Sequence, residues 1–100
     1  MAERLKLQKI LETFGAARVY FQPPDGSQLV YPAIIYGLDE MSIEHANDST
    51  YSVAKRYQIT VIDSNPDSDI PMKVAYLPKT TFRAAFKKDR LNHTVFSTYF

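Results

Sequence analysis

Apolar positions follow a helical period first and a strand period afterwards. Over residues 3–14, Leu7, Ile10, Leu11 and Phe14 fall at i, i+3, i+4 and i+7, while Glu3, Arg4, Lys6, Lys9 and Glu12 lie mostly on other faces. That spacing predicts an amphipathic helix. Gly15 stands where a left-handed C′ residue would stop it. Arg18-Val19-Tyr20-Phe21-Gln22 is rich in strand formers, and Pro23-Pro24-Asp25-Gly26 closes the strand in a turn.

Residues 29–38 contain Val30, Tyr31, Ile34, Ile35 and Tyr36, apolar on both faces, as in a sheet covered by helices. Pro32 cannot donate to a ladder, so the strand begins as an edge or carries a bulge there. Its partner is 51–63, with Tyr57, Ile59 and Val61 on one face and Gln58 and Thr60 on the other. Between them 39–50 is polar, and Ala46-Asn47-Asp48-Ser49 is a good turn. Residues 29–63 therefore predict a long antiparallel hairpin whose tip projects from the body.

After a loop at 64–69, Asp69 is placed to cap a short helix by accepting from the Met72 amide, and Pro71 suits its first turn. Ile70, Val74 and Leu77 form its apolar stripe, and Pro78 ends it. From Lys79, Phe82, Ala84 and Phe86 alternate with Arg83 and Lys87. Residues 89–93 predict a turn and 95–100 a last strand. The order is α-β-β-β-α-β-β. It predicts an α+β domain: an antiparallel-rich mixed sheet, an N-terminal helix and a short second helix packed on it, and a projecting hairpin arm.

Composition narrows this picture. One hundred residues make a single domain, 1–100, and 45% hydrophobic with 23% charged residues is ordinary for a folded chain. A net charge of +1 argues against a strongly basic nucleic-acid binder. Without cysteine there is neither a disulfide framework nor a thiolate metal site. No apolar run reaches the roughly 20 residues that span a bilayer. The start, Met1-Ala2-Glu3-Arg4-Leu5-Lys6, is too charged for a signal peptide, so the expected compartment is cytoplasm-like, without a membrane partner.

Residues that could carry catalysis are sparse. His45 and His93 both fall in predicted turns, where histidines are ordinarily solvated, and neither has a metal-ligand spacing such as H-E-x-x-H. There is no G-x-S-x-G elbow, and Gly15, Gly26 and Gly37 are too scattered to cradle a phosphate. Asp63, Asp67 and Asp69 resemble the opening of a calcium loop, but its central glycine and distal glutamate are missing. The expectation is a non-enzyme without cofactor or metal.

Two features rise above this background. Residues 1–50 hold four basic and seven acidic side chains, giving −3, whereas 51–100 hold eight and four, giving +4. The basic set gathers at Lys79, Arg83, Lys87, Lys88 and Arg90. The plain reading is a solvated sheet face. The functional one is a patch that meets an acidic patch on another copy, as head-to-tail assembly requires. The second feature is the hairpin tip, with Asp39, Glu40, Glu44 and Asp48, long enough to reach a neighbour. Tyr51 beside it and the aromatic Phe100 are the aromatics expected at an interface.

Tyr20-Phe21-Gln22-Pro23-Pro24, Tyr31-Pro32-Ala33-Ile34-Ile35-Tyr36 and Arg56-Tyr57-Gln58-Ile59-Thr60-Val61-Ile62-Asp63 resemble small virion proteins of tailed bacteriophages. So do Pro66-Asp67-Ser68-Asp69-Ile70-Pro71, the Leu77-Pro78 helix end and Leu91-Asn92-His93-Thr94-Val95-Phe96. By order of elements the chain is most similar, over roughly residues 10–100, to the tail terminator, also called the tail completion or neck protein. The resemblance implies a homo-hexameric ring on the tail tube that stops tube polymerisation and offers its other face to the head connector. Genomic DNA would pass through its lumen without specific binding. Ring contacts would then fall on the tip at 39–50, the strand at 56–63 with Arg56, and the loop at 64–69 with Asp67. Such a chain works in the virion, at the head–tail interface, after assembly in the host cytoplasm. Another neck ring, the head-completion or stopper protein, is the nearest alternative. A different class is a small nucleic-acid-binding module using Tyr20, Phe21, Tyr57 and the basic residues 79–90, although these aromatics interleave with aliphatics at core spacing.

Overall fold

The computed structural model describes residues 2–23, 28–46, 49–65 and 67–99. The elements are α1 (Ala2–Glu12), β1 (Arg18–Phe21), β2 (Ala33–Ala46), β3 (Ser49–Asp63), α2 (Ile70–Ala75), β4 (Thr80–Lys88) and β5 (Leu91–Tyr99). The α+β class and the element order agree with the sequence pattern. The strands form one sheet in the order β1-β2-β3-β5-β4, with β1 parallel to β2 and every other pair antiparallel.

One face of this sheet is the core. Helix α1 lays Leu7 and Leu11, both fully buried, against Ile34, Tyr36, Tyr57, Ile59 and Val61, and α2 adds Ile70 and Val74 beside Phe96. Strand alternation supplies the sheet half of that core and the i, i+4 spacing supplies the helix half. The amides of Thr13 and Phe14 turn back to the carbonyls of Ile10 and Leu11, tightening the last turn of α1, and Gly15 then reverses the chain at φ +95°. Tyr36 ties the helix to the sheet: its hydroxyl accepts from Arg4 Nη1 at 3.1 Å and donates to Gln8 Oε1. Burial lifts the Tyr36 pKa above the usual tyrosine value, against the lowering influence of Arg4. The Arg4 guanidinium also sits 4.3 Å above the Phe21 ring, which packs on Tyr36.

Several elements depart from the sequence pattern, each for a local reason. Helix α1 closes at Glu12 rather than 14. Strand β2 starts at Ala33, after a cis Tyr31–Pro32 bond, so Val30 and Tyr31 precede it and are exposed. Among the described residues no helix covers its second face: Ile34 and Tyr36 are buried, while Ile35 is only half-buried. The described part of the polar stretch 39–50 is strand rather than loop: β2 runs on to Ala46 and β3 begins at Ser49. Asp69 occupies the N-cap position of α2 without a side-chain capping bond. Its carboxylate lies 3.6 Å from Lys73 instead, and Ser68 Oγ accepts from the Ile70 amide. The β4–β5 turn is only Asp89-Arg90, both at positive φ, which places His93 in a strand rather than a turn.

The pattern in β4 also changes. Cross-strand partners run Phe82↔Phe96, then Ala84↔Val95 and Phe86↔His93, with a register shift at Arg83. Phe96 and His93 are three residues apart, so they occupy opposite faces of β5. Phe82 therefore lies on the helix-bearing face, in edge contact with Phe96, and Phe86 lies on the open face, stacked on His93. Simple alternation would have put both on one side; the bulge separates them.

Candidate functional site

Beyond Leu38 the hairpin leaves the body. Strand β1 pairs with β2 only over 33–36, and β5 pairs with β3 only over 56–63. Residues 39–46 and 49–55 are thus a two-stranded ribbon, and among the described residues neither of its outer edges has a strand partner. Eight residues of strand reach about 27 Å, in keeping with a principal extent of 52 Å against 26 and 23 Å in the other directions.

The ribbon is amphipathic by register. Leu38, Met41 and Ile43 pair with Tyr57, Lys55 and Val53, which puts all three on the face that carries the helices. They lie beyond the helices' reach and are 41%, 44% and 49% exposed. At the base of the ribbon a bulge at Leu38/Glu40 shifts the register, and Arg56 closes over it. Its Nη2 lies 2.9 Å from Asp39 Oδ2, its Nε donates to the same oxygen, and its Nη1 is 3.6 Å from Glu40 Oε2. Desolvation works to lower the guanidinium pKa, but the charges of Glu40 and Asp39 together with hydrogen bonding to Asp39 and Tyr99 hold the group above its usual value.

Strand β4 forms the opposite margin of the sheet. Every residue from Thr81 to Arg90 is exposed, including Arg83, Lys87, Lys88 and Arg90, with Lys79 just before them at φ +59°. Phe82 is 59% exposed despite its contact with Phe96. A nine-residue strand carrying this much apolar surface, its outer edge without a partner among the described residues, is an open template for another strand.

The sequence-chosen residues thus divide. Asp39, Glu40 and Arg56 come together, but with one another. Lys79, Arg83, Lys87, Lys88 and Arg90 do form one margin. Asp67 is exposed in a turn where its amide donates to Asn65 Oδ1, and the Asn65 amide donates to Asp63 Oδ1. The side chains of Asp63 and Asn65 thus shape a loop, and no metal-holding group of His, Cys, Asp or Glu occurs among the described residues. The side chains of Glu44, Asp48, Tyr51 and Phe100 lie outside the described residues. The exposed stripe of Leu38, Met41 and Ile43 is not visible in the sequence, because strict alternation fails at the Leu38/Glu40 bulge that brings them to one face.

The aromatics of the nucleic-acid reading do not make a platform. Tyr57 is buried, and Phe21 is capped by Arg4. Tyr20 pairs with Ile35, on the face opposite Tyr36 and Phe21, and its hydroxyl accepts from the Val30 amide. Clefts border the sheet among the described residues. One, of about 200 Å³, is apolar and lies between Ile10, Leu77, Pro78 and Tyr99; another, of about 310 Å³, opens on the uncovered face around Gln22, Gly37 and Gln58; a polar one of about 600 Å³ lies by Gln8, Glu12 and Arg18. No helix among the described residues is long and apolar enough to cross a membrane. No protein-family model matches the chain, and no curated protein matches it.

Proposed function

We propose that this chain is a non-enzymatic structural subunit of the head–tail joint of a tailed bacteriophage, assembling as a homo-hexameric ring that terminates the tail tube. One ring face docks on the last tube ring and refuses further tube subunits. The other receives the head connector. Refusal needs a repulsive surface as well as an attractive one, and a chain with unlike charged margins has both.

The observation that carries this reading is the ribbon at 39–55. A compact domain gains nothing from extending two strands beyond its core with Leu38, Met41 and Ile43 in water; a subunit that must reach a neighbour does. The family resemblance of the sequence supplies the virion setting. The modest net charge of +1 suits a lumen that conducts DNA without gripping it, since phosphate binding grows with the charge neutralised.

The test is the mass of the full chain by light scattering, alone, with tail tube protein and with single-stranded DNA. A six-membered ring, in solution or nucleated on tubes, supports the proposal. A monomer that ignores tubes and binds DNA at physiological salt overturns it in favour of a nucleic-acid-binding module. A ring that binds the head connector but leaves tube growth unchecked turns it towards a stopper protein.

A further inference from the structure

We propose that within this ring the free edge of β4 in one copy pairs with the outer edge of β2, along the arm of the next copy, so that one sheet continues from subunit to subunit. This rests on the ring reading and adds to it the two strands that meet.

Topology selects the pair. In the order β1-β2-β3-β5-β4, the outer edge of β2 and the free edge of β4 look in opposite directions across the sheet. Joining opposite edges of identical copies is a heterologous contact, which repeats with the same rotation until it closes. The outer edge of β3 along the arm looks the same way as β4, so pairing with it would relate two copies by a two-fold axis and end at a dimer. Strand direction agrees. β2 and β5 run one way, β3 and β4 the other, so β4 meets the next β2 antiparallel. Because β4 lies beside the body and the arm lies beyond it, the strands must incline to the ring axis, as closing any sheet requires.

Chemistry selects it again. Residues 79–90 carry five basic and one acidic side chain, whereas 39–46 of β2 carry three acidic residues and neither Lys nor Arg. Arg83, Lys87 and Lys88 repel the β4 of another copy, which protects the edge from pairing with itself, but they attract an acidic strand. Rotational symmetry turns the same face of every copy outward. The exposed Met41 and Ile43 of one subunit then come beside the exposed Phe82 of the next, on the helix-bearing face of both.

The absence of cysteine makes the pairing directly testable. Met41→Cys or Ile43→Cys is combined in one chain with Phe82→Cys or Ala85→Cys, giving four same-face pairs, and Met41→Cys with Ala84→Cys serves as the opposite-face control. All five positions are exposed, and circular dichroism checks that each variant folds. Mild oxidation of the assembled protein is expected to give a covalent ladder up to the ring for at least one same-face pair. The control should yield about tenfold less, because a disulfide tolerates only a narrow separation and orientation. Rings that assemble but lock at none of the four pairs, or as readily in the control, overturn the strand pairing and leave the ring reading intact. Failure to assemble at all, alone or on tubes, overturns both.

Discussion

Replacing Tyr36 by Phe removes one oxygen from the place where α1 is fastened to the sheet. The ring keeps its volume and its contacts with Phe21 and Tyr57, at centroid distances of 5.1 and 6.3 Å, so no cavity opens. What is lost is a bond accepted from Arg4 and one donated to Gln8. A hydrogen bond to a charged group contributes about 1.5–3 kcal/mol and a neutral one about 1 kcal/mol. Arg4 keeps its seat over Phe21 and its access to water, which offsets much of its share. The expected loss is therefore about 1–2 kcal/mol at pH 7, a drop of very roughly 5–15 °C in Tm for a domain of this size. The pH dependence makes the prediction specific. The folded-state pKa of Tyr36 is raised above that of the unfolded chain, so the stability it contributes is fully present below about pH 10. It declines as pH rises from there through the folded value, because the unfolded chain ionises first. Phe has no such proton. In urea unfolding the midpoints of the two proteins should differ at pH 7–9 and converge above about pH 10, with unchanged m-values. Equal stability at pH 7, or a gap that widens in alkali, would refute the fastening role of Tyr36.

Two further substitutions test the helix and its end. Leu11→Ala should cost about 2–5 kcal/mol, as for a fully buried leucine, whereas Leu5→Ala, half exposed on the same helix, should stay within about 0.5 kcal/mol in the same urea titration. Gly15→Ala should cost about 1–2 kcal/mol through backbone strain alone, since no atom beyond the two adjoining residues lies within 4 Å of the added Cβ and only the φ of +95° opposes it; Gly15→Asn should recover part of that loss.

Where periodicity meets burial, the structure was legible in the sequence. Leu7 and Leu11 on α1, Tyr57, Ile59 and Val61 on β3, and Ile70 and Val74 on α2 stand at the expected spacings and form the core. The projecting hairpin and its returning strand from 51 were legible, but the continuation of β2 through 39–46 was not, because those residues are mostly polar and no core lies beneath them to impose a pattern. Arg83 misled for a different reason. A bulge is fixed by pairing with β5, not by β4 itself, so alternation alone put Phe86 on the wrong face. For the candidate site, the basic margin could be read from sequence clustering, but the clasp of Arg56 on Asp39 could not. Those two residues lie 17 apart and meet through a register that the Leu38/Glu40 bulge determines.

That clasp has a mechanical consequence. The bulge at Leu38/Glu40 marks the point where sheet support ends, and bulges bend and overtwist the strand that carries them. At this bend the root of the arm is braced by one guanidinium between two carboxylates close to solvent. Screening ions weaken such a brace. Rising ionic strength is therefore expected to loosen the root of the arm. The apolar core beneath α1 should not feel the same change.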